Sequence, residues 1–364
     1  MFLRTFGWSF AVSAAALVAA VFYGGWAALA LCAILGVMEV SLSFDNAVVN
    51  AKILERLDDF WRKVFLTVGI AIAVFGMRLV FPLLVVGVTA HLGPIEAIRL
   101  AMQQGDPHDP GTYGYLLNEA HPQIAAFGGM FLLMLFLDFV FEEREHQWLS
   151  WLERPLARIG RLDQLSVVVA GVTLVVVAST LATRPSDVLI AGILGMVTYI
   201  AVNALGSFFA GAGEDQRDEA AGPTELAKLA GKAGFFTFLY LEVLDASFSF
   251  DGVIGAFAIT PDPIIIALGL GLIGAMFVRS LTVYLVRQGT LAQYVYLEHG
   301  AHWAIGALAV ILLVSIGHHV DSIVTGLVGV GFVVAAFVTS LVRNRREKAP
   351  SDQRRPELAA AGRG

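Results

Sequence analysis

Residues 27–50 read AALALCAILGVMEVSLSFDNAVVN, an apolar run of helical length that is interrupted by Glu39, Asp45 and Asn46. The segment EVSLSFDN at residues 39–46 is the first acidic motif. A carboxylate at the centre of a membrane helix costs about 2.5 to 3.5 kcal/mol on insertion scales, so polar groups in such a run predict a functional site.

A second apolar run at residues 234–259 reads GFFTFLYLEVLDASFSFDGVIGAFAI and repeats the pattern. Its second acidic motif, DASFSFDG at residues 245–252, keeps an acid at the first and seventh positions and the same Ser, Ser-Phe and Asp spacing. The acids here are Asp245 and Asp251, and Gly252 replaces the asparagine. The repetition indicates that two related segments build one site.

The composition is that of a polytopic membrane protein. Mean hydropathy is +0.74, and only 15% of residues are charged, whereas soluble domains average about a quarter. The net charge of −6 is spread over loops and buried acids and favours no nucleic-acid partner. The single Cys32 excludes an intramolecular disulfide and a cysteine metal cage.

The hydrophobic pattern predicts an all-α bundle of about ten transmembrane spans, since a spanning helix needs about 20 mostly apolar residues. The first two spans are separated only by Gly24-Gly25 and the last two by a turn near Gly317, so nine spans are the alternative. The predicted spans are 9–24, 26–50, 64–88, 123–141, 165–183, 187–211, 234–259, 263–286, 302–318 and 320–342.

Basic residues predict the orientation, because Lys and Arg accumulate in cytoplasmic loops. With ten spans, one side of the membrane holds 20 of the 24 Lys and Arg residues. Both termini are therefore predicted to be cytoplasmic. The lipid bilayer is the first partner that the sequence predicts.

The two remaining basic residues within spans, Arg78 and Arg279, lie in the third and eighth spans, directly after the spans with acidic motifs. The chain is thus predicted to contain a five-helix repeat over 1–183 and a second over 184–342. An odd number of spans per repeat inverts the second relative to the first. The charged, Ala- and Pro-rich tail at 343–364 is predicted to be disordered and cytoplasmic.

Helical geometry divides the acids of each motif between two faces, since residues are spaced by 100°. Glu39 and Asp45 fall about 120° apart, and Asp245 and Asp251 do the same. Either the helices are interrupted near Asp45 and Asp251, or the acids of each pair contact different neighbours. Gly252 favours an interruption, because glycine tolerates unusual backbone angles.

Carboxylate, amide and hydroxyl oxygens suit hard cations such as Ca²⁺, Mg²⁺ and Mn²⁺. The predicted ligand is a transported divalent cation, with no permanently bound cofactor. An alternative is that the acids only pair with arginines and hold the helices in register. The residues proposed in support of the site are Ser41, Ser43, Ser247, Ser249, Glu242, Arg78 and Arg279.

Several polar residues outside the motifs have structural interpretations. Glu242 is either an extra acid on the face of Asp245 or a residue near the cytoplasmic end of its span, and the second interpretation is slightly favoured. Asp138 is interpreted as interfacial. A solvated cap explains His318, His319 and Asp321, and a solvated interface explains Glu142, Glu143 and Glu145. No phosphate-binding, zinc-protease or serine-hydrolase motif is present, so no enzyme activity is predicted.

The motif from Glu39 to Val48 resembles the signature of the TerC-type integral membrane family, and the segment from Asp245 to Ile254 resembles its second copy. This family is associated with tellurium resistance and belongs with the LysE-like exporters, and several members are regarded as manganese exporters. The resemblance implies metal-site positions at Glu39, Asp45, Asn46, Asp245 and Asp251.

The resemblance also implies a Mn²⁺ exporter of the bacterial inner membrane that works by alternating access and contributes to metal or tellurium stress resistance. The chain departs from the family pattern in its larger number of spans and in Asp245 and Gly252. The competing hypothesis is a scaffold that transports nothing. Such a scaffold would bind soluble stress-response proteins at its acidic loops, 142–145 and 214–219.

Overall fold

The computed structural model describes the backbone of residues 2–42, 44–69, 71–72, 76, 80, 83–84, 86–87, 90–103, 105–106, 108–144, 146–162, 164–214, 230–260, 262–288, 294–320 and 322–361. Within these ranges it describes the backbone alone for residues 2–4, 41–42, 44–46, 206–214, 249–251, 254–255, 257–258, 287–288, 322–323, 326 and 346–361.

Every regular element in the described part of the chain is a helix. In chain order they are α1 (Phe2–Leu42), α2 (Phe44–Arg56), α3 (Asp59–Val64), π1 (Phe65–Gly69), α4 (Pro94–Met102), α5 (Tyr113–Phe141), α6 (Ser150–Ile159), α7 (Leu165–Thr180), α8 (Pro185–Glu214), α9 (Gly231–Ile259), α10 (Pro263–Ile266), π2 (Ala267–Gly274), α11 (Ala275–Gln288), α12 (Leu297–Ser315) and α13 (Ser322–Ala361).

The 41 residues of α1 are two helices joined at a kink. Gly24 has φ −144° and Gly25 has φ +69°, a backbone conformation that glycine adopts without steric cost. A straight helix of this length would extend about 60 Å, twice the thickness of the hydrocarbon core. The predicted division at Gly24-Gly25 is thus confirmed.

Six helices among the described residues are long and apolar enough to cross a membrane: Thr5–Val40, Tyr113–Phe141, Pro185–Leu205, Pro263–Val286, Leu297–Ser315 and Leu327–Arg345. Helix α9 has sufficient length but carries three acids, and α7 is a shorter apolar helix of 16 residues. The structure therefore confirms an all-helical membrane protein, and the ten-span count stays a prediction.

Helix α5 forms the centre of the bundle. It packs against α8, α9 and α12, and its apolar side chains, such as Met130 and Phe131, are fully buried. Helix α1 lies at the periphery, where Phe22 is 88% exposed and Trp26 is 79% exposed. Such large apolar surfaces are stable in contact with lipid, so this exposure fits a membrane-embedded periphery.

Two π-helical segments, π1 and π2, lie within the predicted spans that follow the acidic motifs. The wider π-helical turn is rare and occurs frequently at functional sites. Nothing in the apolar composition of these segments predicts it. Their matching positions support the predicted repeat, although the inversion of the two halves stays a prediction.

Each helix that carries an acidic motif packs against the π-helical segment of the other predicted half. Helix α1 packs along π2, where a Cβ at Gly269 would lie 2.6 Å from the Cys32 carbonyl oxygen. In the other pair, a Cβ at Gly69 in π1 would lie 2.6 Å from Glu242 Oε1 on α9. Small residues at these contacts let the backbones approach closely.

The tail has more helix than its composition predicts. Helix α13 continues to Ala361, although residues 343–364 were expected to be disordered. Ala, Glu and Arg in this segment are strong helix formers, whereas Pro350 and Pro356 oppose a helix. The disorder and the cytoplasmic position of the tail stay predictions.

Candidate functional site

The structure describes the side chains of Glu39, Glu242, Asp245, Ser247 and Arg279 from the predicted site. The other predicted site residues lie outside the described side chains: Ser41, Ser43, Asp45, Asn46, Arg78, Ser249 and Asp251. Residues 215–219 of one predicted docking loop are outside the described chain as well, and so are Asp321 and Glu145.

A small polar cavity of about 30 Å³ lies between α2, π1, α9 and α11. Its polar lining consists of Asn50, Glu242, Asp245, Arg279 and Thr282. The volume suffices for a water molecule or a small ion. Residues from both predicted halves therefore meet in one place, as the repeated motifs indicated.

Helix α9 contributes both carboxylates of this polar cavity. Glu242 and Asp245 are three residues apart and so share one face of the helix. Glu242 lies 11 residues after the start of α9 and 17 before its end, and it is 4% exposed. Glu242 and Asp245 line the same cavity. The two interpretations of Glu242, an extra acid on the face of Asp245 and a residue near the cytoplasmic end of its span, both stay predictions.

Helices π1 and α11 also line the polar cavity. Arg279 Nε donates a hydrogen bond to the Leu66 carbonyl oxygen at 3.1 Å and so joins α11 to π1. The Thr282 hydroxyl donates to the Val278 carbonyl oxygen at 2.9 Å. Gly69 makes room for the Glu242 carboxylate, because any side chain at that position would collide with it.

The Glu242 carboxylate lacks hydrogen-bond donors. Neither of its oxygens accepts a hydrogen bond within the described part of the chain. The buried Asn50 Oδ1 also accepts none there. A buried polar group without a partner costs about 1 to 3 kcal/mol, and more when it is charged. Such a group requires an explanation, of which a bound water or ion is one.

Glu39 occupies a different place. It is 1% exposed and packs against Gly274 in the contact between α1 and π2. It is not among the described residues that line the polar cavity. Within the described residues no group of three or more His, Cys, Asp or Glu side chains is close enough to hold a metal ion. The complete five-residue metal site therefore stays a prediction.

The second acidic motif lies in a continuous helix, because α9 extends from Gly231 through Asp251 and Gly252 to Ile259. The alternative of an interruption near Asp251 is thus wrong, since intrahelical hydrogen bonds outweigh the local freedom of Gly252. In the first motif, α1 ends at Leu42 and α2 begins at Phe44, with Ser43 outside the described residues.

Ser247 points away from the polar cavity. Its hydroxyl donates to the Val243 carbonyl oxygen at 2.9 Å, and it lines a second cavity instead. This apolar cavity has a volume of about 330 Å³ between α5, α9 and α12. Glu242 is the one described residue that lines both cavities.

A second cluster of buried polar groups was missed by the sequence reasoning. In this Glu153 cluster, the Glu153 carboxylate accepts hydrogen bonds from the Trp148 backbone N–H at 3.0 Å and the Trp303 indole N–H at 2.9 Å. It also lies 3.2 Å from His299 Nδ1. His299 is 146 residues and Trp303 is 150 residues from Glu153 in the sequence, so no local pattern indicates the cluster.

The surroundings of Glu153 have opposing effects on its pKa. Burial raises the pKa of this carboxyl, but hydrogen bonds from His299 and Trp303 outweigh burial and hold the pKa below its usual value of 4.5. Glu153 is therefore an acid whose charged form the fold stabilises.

Other predicted polar residues have ordinary partners. The Tyr199 hydroxyl donates to Asp138 Oδ2 at 2.7 Å, which accounts for that acid. Glu142 pairs with Arg144 at 2.5 Å, and Glu143 pairs with Arg161 at 2.6 Å. His318 and His319 are exposed, in agreement with a solvated cap. These ion pairs reduce the net charge that the 142–145 loop presents to a partner.

A family model described as "Protein of unknown function (DUF475)" matches residues 44–347. The match includes the second acidic motif, both π-helical segments and every described residue of the polar cavity. No curated protein and no solved structure matches the chain.

Proposed function

The chain belongs to the DUF475 family, and we propose that it is a divalent metal cation transporter that exports Mn²⁺. The carrying observation is the Glu242 carboxylate, buried beside Asp245 in a cavity within the helix bundle, with neither oxygen hydrogen-bonded among the described residues. Ionisable residues inside a membrane bundle mark ion pathways by default.

The lining of the polar cavity supports a hard cation as the substrate. Two carboxylates, the Asn50 amide and the Thr282 hydroxyl offer oxygen atoms, which Mg²⁺, Ca²⁺ and Mn²⁺ prefer. Arg279 lines the same cavity and supplies one positive charge, whereas Glu242 and Asp245 can supply two negative charges. A cation that enters the cavity therefore competes with the guanidinium group for the carboxylates. Mn²⁺ is favoured within this group by the resemblance to the TerC-type family.

The proposed mechanism is alternating access between two inverted halves around this site. Support comes from the exchanged packing, in which π2 contacts α1 and π1 contacts α9. Residues of the bundle that belong to different halves thus meet at the acids, where relative motion of the halves would open and close the site. The ten spans, cytoplasmic termini, bacterial inner-membrane location and role in metal or tellurium resistance belong to the same proposal.

Flux of Mn²⁺ into proteoliposomes tests the proposal, with Mg²⁺ and Ca²⁺ as the alternative substrates. We expect Asp245→Asn to lower the flux by at least about tenfold, since the loss of one charge-assisted ligand is worth about 1.5 to 3 kcal/mol. Asp187→Asn is the matched control, because Asp187 pairs with Arg184 and Gln123 away from the cavity. It should transport as the wild type does.

Equal flux through the wild type and Asp245→Asn, at equal amounts of folded protein in the vesicles, would overturn the site assignment. Asp45→Asn and Asp251→Asn extend the test to the predicted ligands whose side chains the structure does not describe. Stable co-purification with soluble proteins and no flux of any divalent cation would favour the scaffold hypothesis instead.

A further inference from the structure

The apolar cavity is too large and too dry for a metal-ion pathway. It measures about 330 Å³, and its lining includes Ile124, Phe127, Phe238 and Leu312. An ion that entered such a cavity would lose its hydration and would find few oxygen ligands among the described lining residues. The cavity therefore needs an explanation separate from the proposed ion site.

Its size is suited to a ligand of about two fused aromatic rings. An engineered apolar cavity of about 150 Å³ holds one benzene molecule, so a cavity of twice that volume accommodates a bicyclic group. Phe127 and Phe238 offer ring surfaces for such a ligand. An apolar ligand would also make dispersion contacts with the apolar lining of the cavity.

Among the described residues, Glu242 is the one ionisable side chain that lines the apolar cavity. Glu242 lines it, is 4% exposed, and has no hydrogen-bond donor on either carboxylate oxygen within the described residues. The other polar lining residue, Ser247, uses its hydroxyl proton within its own helix. A cationic N–H group on the ligand would supply the donor that Glu242 lacks, in an environment where such a bond is strong.

From this combination we propose that the apolar cavity is a binding site for a small hydrophobic organic cation, with its ammonium group on Glu242 and its apolar body between α5 and α9. Because Glu242 also lines the polar cavity, the bound organic cation occupies an acid of the metal site. This second consequence rests on the proposed function, whereas the binding itself does not.

Binding to the purified wild type in EDTA tests the site directly, with 1-naphthylmethylammonium as the ligand and its intrinsic fluorescence as the readout. The neutral 1-naphthylmethanol has nearly the same shape and controls for partitioning into detergent. We expect the ammonium compound to bind about 10- to 100-fold more tightly than the alcohol, the range expected for a charge-assisted hydrogen bond.

Two variants separate charge from volume. In Glu242→Gln, the affinities for the ammonium compound and for the alcohol should differ by less than about threefold. Binding of the alcohol should be unchanged, and this result would also show that the cavity is intact. Gly128→Leu should weaken both compounds, because Gly128 lines the cavity and a Cβ there finds only ordinary contacts at 3.7 Å. Gly128→Ala is its control and should retain most of the binding.

Equal binding of the amine and the alcohol to the wild type would overturn the proposal, as would equal amine binding to the wild type and Glu242→Gln. Inhibition of Mn²⁺ flux by 1-naphthylmethylammonium tests the shared acid separately. Binding without any metal flux would refute the transport function alone. Asp245-dependent flux without binding would refute the organic-cation site alone.

Discussion

The Glu153 cluster and the polar cavity both contain buried acids, but the hydrogen bonds that these acids accept differ. Glu153 accepts hydrogen bonds from Trp148 and Trp303 and contacts His299. Glu242 accepts none from the described residues. A buried acid that accepts hydrogen bonds stabilises the fold. A buried acid without donors raises the free energy of the folded state, and a bound ligand can lower it.

This contrast distinguishes an acid with hydrogen-bond donors from one that has none among the described residues, without reference to sequence similarity. Glu153 lies in α6, outside the six candidate spans, and links that helix to α12. Glu242 lies in the middle of α9, between the two cavities. We therefore expect loss of the first acid to affect stability and loss of the second to affect ligand binding.

The largest effect on stability is expected for Glu153→Ala. Removal of this carboxylate leaves the Trp303 indole and the Trp148 N–H without their acceptor, at a cost of about 3 kcal/mol. Unfolding of the purified protein in detergent measures the loss. Glu143→Ala is the control, because its exposed pair with Arg161 is worth at most about 1 kcal/mol. Similar unfolding of the two variants would contradict the assigned difference.

The contribution of Glu153 should depend on pH. Its pKa in the folded state lies below the usual value of 4.5, so the folded state favours the charged carboxylate. The stabilisation is then fully present well above pH 4.5 and is lost as the pH falls through the lower, folded-state pKa. The stability difference between wild type and Glu153→Ala, measured from pH 7 to pH 4, should narrow toward the acidic end. A stability difference that widens as the pH falls would contradict the lowered pKa of Glu153 in the folded state.

The smallest effect on stability is expected for Glu242→Gln. The amide keeps the size of the side chain and removes a buried acid that lacks donors, so stability should change by less than about 1 kcal/mol or rise. The same unfolding assay measures it. A loss as large as that for Glu153→Ala would place Glu242 among the structural acids and remove the contrast.

The sequence predicted much of the fold and part of the site. Apolar length and low charge identified the membrane helices, and Gly24-Gly25 marked the kink. The repeated motif identified Asp245, and the three-residue spacing placed Glu242 on its face. These features are local in the chain, and helix periodicity suffices to derive them.

Other features required the structure. Gly252 suggested a break in the second acidic helix, but α9 is continuous there. The π-helical segments replaced ordinary helix without a recognisable signal. Asn50 and Thr282 were not expected at the site, because isolated polar residues in spans have no pattern that assigns them a partner.

The sequence by itself thus determined that this chain is a helical membrane protein with duplicated acids in apolar runs, because hydrophobicity and motif spacing are properties of neighbouring residues. Only the tertiary structure decided which acids have donors, which share a cavity and which lie elsewhere, as Glu39 does. Hydrogen-bond partners are set by the packing of helices more than a hundred residues apart, and helix periodicity specifies a face but not the neighbour that the face meets.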